Sequence, residues 1–453
     1  MTPGASGGVL AHGIAGRQDL PIPYSFALWG AAATLVVSFV LLGVLWRSPR
    51  LRGEAAGRPL PPGPASVLDS AAVRWALRIL GLALTAYIGA AVLLGPDLAT
   101  NPAPRAVYVL FWVGLVPLSV LFGPVWRRLN PLRTLHLLLS SALRVAPHEG
   151  LLPLPRRLGY WPAAVGLFAF VWLELVFPDP AALSVIRTWF ALYAGGHLIA
   201  SALYGQRWFD RGDAFEVWSD AFGRLSVLGR RRDGRLVVRN PLDGMASRGP
   251  APGLVAVVSV LLGSTAYDGL SSDPGWVSRL QTSGSPTLLG TVGLLGVVLA
   301  VAAVYVTATL VASWLSAGRT TGTADGRRRH GAPGEFAHTL VPIALGYLVA
   351  HYYSLLVLEG QRALIQLSDP LGTGADVLGI GDRRVSSAPA APTLVATIQV
   401  GAVVAGHVLG VVLAHDRAVR LFPPGRRTFA AQLPLLAAMV AFTLFGLGLL
   451  FTA

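Results

Sequence analysis

The stretch from Glu335 to Gln361, EFAHTLVPIALGYLVAHYYSLLVLEGQ, carries a dense set of reactive side chains: His338, Tyr347, His351, Tyr352, Tyr353 and Ser354. Imidazole and phenol groups move protons or ligate metal ions, and they need carboxylates or further histidines to do so. Such partners lie elsewhere in the chain: Glu174, Asp268 and Glu359 among the carboxylates, His12, His197 and His407 among the imidazoles. Most stand in or beside apolar runs. A polar or ionisable group there costs free energy unless it meets a partner or lines a cavity. Helix geometry limits the pairings. His338 and His351 lie about 20 Å apart along a helix and about 140° around it, so they cannot share one metal or one haem.

The elements that must position these residues follow from composition. Of 453 residues, 53% are hydrophobic and 13% charged, with a mean hydropathy of +0.60. A soluble domain carries about 25% charge, so the reading is a polytopic helical membrane protein. The net charge of +14 would suggest nucleic acid in a soluble chain. Here it reads as the positive bias of cytoplasmic loops, and no nucleic-acid partner is inferred. All 36 basic residues are Arg, and with 52 Gly and 33 Pro this points to a GC-rich bacterial genome and a bacterial plasma membrane. The absence of cysteine excludes disulfides, thiolate metal sites and c-type haem attachment.

Apolar runs predict an all-α transmembrane helix bundle of about ten spans, near 24–46, 74–95, 106–126, 159–177, 182–204, 252–270, 287–316, 335–358, 392–414 and 428–451. Residues 1–23 lack the basic start and continuous apolar core of a signal peptide and read as an external segment, followed by a single membrane domain, 24–453. Arginine sets the orientation: 28 of the 36 fall in or at the edges of five alternate loops and 6 in the external set, which puts both termini outside.

Orientation gives each polar residue a depth. His197, His338 and His407 fall within about 5–10 Å of the cytoplasmic face, and Tyr193 and Gln399 join them as an inner cluster. His12, Glu174, Arg187, Asp268, His351 and Glu359 form an outer cluster, with Arg17 and Asp19 in the segment that could cover it. Glu174 and Arg187 flank the turn Pro178-Asp179-Pro180, so an ion pair between them is expected, with a structural brace as its plainer role. Edge-of-span histidines are commonly packing residues too. His415-Asp416-Arg417, at a helix end that suits a cation, reads as structural. Ala402, Gly406 and Gly410 make a ridge for close helix packing.

The loops hold local signals. Residues 126–144 read as an interfacial amphipathic helix after a turn at Asn130-Pro131. Within a cytoplasmic insert, 205–251, residues 211–228 read as a second one, capped by Asp213 with a stripe of Phe215, Trp218, Phe222 and Leu225. Residues 230–242 read as a hairpin turning at Asp233-Gly234, its Arg cluster suited to anionic lipid head groups. Loop 47–73 reads as disordered and 359–391 as irregular. Walker A, GxSxG, HExxH and dinucleotide-binding motifs are absent.

HGIAGRQDLPIP (12–23), VWRRLNPLRTL (125–135), RGDAFEVWSDAFGRL (211–225), AHTLVPIALGYLVAHYYSLLVLEGQ (337–361) and AGHVLGVVLAHDRAV (405–419) together resemble a largely actinobacterial family of polytopic membrane proteins labelled fenitrothion hydrolase. The resemblance covers nearly the whole chain and implies hydrolysis of an organophosphate ester; it carries no catalytic residue over. Phosphotriester hydrolysis ordinarily uses a dense His/carboxylate site with metal-activated water. The residues themselves point first to a permease-like or ion- or metal-handling protein, with Pro117 and Pro342 breaking helices along a pathway for a small solute or ion. A redox protein holding haem b or copper at the inner histidines is the further alternative.

Overall fold

In the computed structural model, residues 23–317, 332–422 and 426–452 are described. They are predominantly helical, and eight helices are long and apolar enough to cross a membrane. The main helices are α1 (Tyr24–Leu45), α2 (Ala71–Leu94), α3 (Ala103–Phe122), α4 (Pro131–Ala142), α5 (Trp161–Leu175), α6 (Leu183–Tyr204), α7 (Ala214–Gly223), α8 (Leu254–Ser271), α9 (Pro286–Ala317), α10 (Val341–Gln366), α11 (Pro392–Leu421) and α12 (Arg426–Thr452). Two helices at expected span positions fall outside the eight: α5, with 15 residues, and α6, whose apolar run includes Arg187, Thr188 and His197.

Helix starts follow the local chemistry. Asn130 accepts from the amides of Leu132 and Arg133 with Pro131 at the first helical position of α4. Ser70 caps α2 and Asp213 caps α7 in the same way. Glycines with positive φ, Gly123 (84°) and Gly205 (72°), end α3 and α6. The middle of α3, Ala106–Val113, is π-helical, with the Gly114 amide bonded to Val109 O. Pro117, one turn on, has no N–H to offer the preceding turn, and the wider winding there turns Trp112 into the core. Pro342 differs from the expectation: it stands in the first turn of α10, after the 3-10 turn Ala337–Leu340, and breaks nothing.

α10 and α11 pack most closely. A Cβ on Gly346 would strike Ala402 O, one on Gly406 would strike Pro342 O, and one on Gly410 would meet Ile343 and Thr339 O. The small-residue ridge is thus a seam where two backbones touch.

Two loop expectations are corrected. Residues 47–73 are ordered: Asp416 Oδ1 accepts from the Trp46 indole and the amides of Arg50 and Leu51, and Asp243 accepts from the Arg52 amide. Strand β1 (Arg58–Pro59) then joins β2 (Leu228–Arg230) and β3 (Leu236–Val238) in an antiparallel sheet, order β1-β3-β2, with the turn at Gly234 (φ 82°). And α7 does not lie on an interface. Nine of its ten residues are buried, Asp220 being the exception, because its stripe packs into aromatic side chains of α3, α5 and α6 while its polar positions find partners within the protein.

Candidate functional site

The site centres on Asp268, near the end of α8 and 1% exposed. Its Oδ2 accepts from His351 Nε2 at 2.8 Å and from Tyr352 Oη at 2.6 Å. The carboxylate accepts only, so His351 donates through Nε2. Tyr347 stacks on His351, ring centroids 6.1 Å apart and planes at 7°. Glu174 approaches from α5, close enough to feel the charge of Asp268, with the Trp112 indole beside it. Asp268 Oδ1, Glu174 Oε2 and Tyr347 Oη are buried without a hydrogen-bond partner. Two carboxylates, an imidazole and two phenols thus meet where α5, α8 and α10 converge. Such a group can hold and pass a proton, or bind a small cation, because it combines negative charge with unused acceptors.

The remaining residues expected in the outer cluster lie elsewhere. Glu359 is two turns from His351, about 12 Å along α10. It pairs with Arg105 at 2.8 Å and with Arg362, a brace between the ends of α3 and α10. Arg187 is exposed on α6 and makes no ion pair with Glu174, because its side chain faces away from the bundle. His12, Arg17 and Asp19 lie outside the described residues.

The inner set divides as well. His197 Nδ1 accepts from the Trp208 indole at 2.8 Å and packs on Tyr193, whose hydroxyl donates to Asp213 Oδ1 and accepts from the Ala214 amide. Both histidine and tyrosine belong to the clamp on α7. In that clamp Asn130 donates to Asp213, and Arg133 bonds both oxygens of Glu216 (3.1 and 2.7 Å) and Asp210 (2.8 Å). Every member is satisfied, so the network is structural. His338 is buried in the turn before α10, at the end of the bundle that carries the Arg-rich loops, beside the ion pair Arg417–Glu335. His407 sits near the middle of α11, which runs on to Leu421, and donates through Nδ1 to Val403 O. Gln399 is buried on the same helix with Oε1 unpartnered.

Among the described residues no group of three or more His, Asp or Glu is arranged to hold a metal ion, and His197, His338 and His407 share no partner. His415 bonds Gln432 and Trp46 O, fixing α11 to α12 and α1. A groove of about 630 Å³ lies between α8 and α9, lined by apolar residues such as Val260, Val298 and Leu299, with none of the Asp268 cluster in its wall.

Signals for Asp268, Glu174 and His351 were present in the sequence as ionisable groups in apolar runs; Trp112 and the role of Tyr352 were not. Comparison with family models, curated proteins and solved structures gives no match.

Proposed function

We propose that this chain is an integral membrane protein of ten spans with both termini outside, in a bacterial plasma membrane, acting as a permease-like carrier that couples movement of a small solute or ion to protons at the Asp268 cluster. The observation that carries this reading is the half-used carboxylate: Asp268 Oδ2 accepts two bonds while Oδ1, Glu174 Oε2 and Tyr347 Oη accept none. Buried carboxylates with spare acceptors inside a helical bundle are the groups that proton-driven carriers use. Arg-rich loops at one end supply the orientation and a surface for anionic head groups.

The hydrolase reading implied by the resemblance draws on the same residues, since an aspartate-oriented His351 is a general base in waiting. One experiment separates the two. Vesicles holding the purified protein and given a pH gradient are expected to take up solute from a mixed panel of small solutes. Uptake is expected to stop when the gradient is collapsed or when Asp268 is replaced by Asn. Absence of gradient-driven uptake by the wild type, with phosphotriester turnover lost in Asp268→Asn, would reverse the choice. The redox alternative is the less favoured reading, since His197 and His407 bond different partners, the Trp208 indole and Val403 O.

A further inference from the structure

Buried polar atoms without partners are not confined to the Asp268 cluster. Ser354 Oγ, Gln399 Oε1, Tyr347 Oη, His407 Nε2 and Thr339 Oγ1 are all buried and unpaired, and all belong to α10, its entry turn or α11. The contacts of Gly346 with Ala402 and Gly406, and of Gly410 with Ile343 and Thr339, fix the register of this antiparallel pair. That register puts Gln399 at the level of His351 and His407 at the level of Ile343. Measured along α10, the unpaired atoms therefore stand at the levels of residues 354, 351, 347, 343 and 339. Each step is about one turn, ~4.5–6 Å, and the series covers about 22 Å.

One water molecule joins two polar atoms about 5.5 Å apart, twice a normal hydrogen-bond length, so the axial component of each step is about the reach of one bridging water. A buried polar atom left without any hydrogen bond is destabilising, so five dry ones in an apolar seam would be costly. The tautomer of His407 adds direction. Val403 O can only accept, so Nδ1 holds the proton and Nε2 is a free acceptor one turn above the last level of the series. Below it the series reaches Thr339 and His338, beside Arg417 and Glu335, which are partly exposed.

We propose that this file holds bound water and carries protons between the Asp268–Glu174 cluster and the Arg-rich end, with His407 as the relay toward the Arg-rich end. The transport role rests on the proton-coupled reading above; the hydration does not.

X-ray hydroxyl-radical footprinting of the wild-type protein in ¹⁸O water tests it directly. Buried side chains react there only when water lies beside them. Tyr347 and His407, 4% and 1% exposed, are expected to gain ¹⁸O several-fold above Tyr305, which is equally buried but bonded to Pro333 O. Labelling of both residues no greater than that of Tyr305 overturns the file. Labelling of Tyr347 alone also overturns it, while leaving the Asp268 cluster as a hydrated site. In vesicles with a trapped pH dye, His407→Leu that elutes as a single species is expected to lose proton flux, and His407→Gln to keep part of it. Wild-type flux in His407→Leu beside a silent Asp268→Asn would sink the relay and spare the carrier reading. Undiminished flux in both variants would sink the carrier reading itself.

Discussion

At Asp268 the two donors come from neighbouring residues. His351 and Tyr352 project about 100° apart on α10, yet both reach Oδ2, because α8 lies between their directions. The sequence pattern made Asp268 and His351 conspicuous, since charge and imidazole are rare in apolar runs. It could not show that Tyr352 shares their acceptor, because that depends on where α8 sits. A hydrogen bond to a charged group contributes about 1.5–3 kcal/mol, and the Tyr352 bond is the shorter of the two. Tyr352→Phe removes the donor with little change in shape. It is expected to destabilise the detergent-purified protein by about that amount, read as a lower midpoint of thermal unfolding. An unchanged midpoint would mean that the Tyr352 hydroxyl contributes nothing to holding Asp268.

The helices themselves were largely legible as apolar runs, and the α10–α11 seam as a spacing of small residues. The element that was not legible is α7. Its stripe of Phe215, Trp218 and Phe222 looks the same whether it faces lipid head groups or a protein core, and the decision lies with its polar side. Glu216 and Asp213 would be solvated on an interface; here they are held by Arg133, Asn130 and Tyr193. Loop 47–73 was misread for a related reason: Pro and Gly content signals irregularity, and the anchors that order it, Asp416 and Asp243, are remote in sequence. The clamp has a measurable consequence. Arg133→Met strands the buried Glu216, and removing one partner of such a pair costs about 3–5 kcal/mol. Asp69→Asn, which loses exposed pairs to Arg128 and Arg230, should cost no more than about 1 kcal/mol. Proteolysis within 205–251 is expected to speed up in the first variant and to stay at the wild-type rate in the second.

For the whole molecule, the distribution of arginine and the placement of polar groups tell one story of two unlike ends. The end with Arg127, Arg133, Arg224 and Arg248 is tied together by Asp210, Glu216 and Asp220 and by the small sheet. The opposite end is held by Arg105–Glu359 and by turns in which Asp369 and Asp376 accept backbone amides. If the Arg-rich end faces the cytoplasm, as proposed above, Arg232 and Ala375 lie on opposite sides of the membrane. Both positions are exposed in loops, and the chain contains no cysteine, so a single introduced thiol is unambiguous. In intact cells a membrane-impermeant maleimide is expected to label Ala375→Cys and to reach Arg232→Cys only after permeabilisation. Labelling of both in intact cells would show that these loops share a side, and the ten-span count would be wrong. The reverse pattern would invert the bundle and send the proton path along α10 from the cytoplasmic face outward, with Asp268 on its inner half.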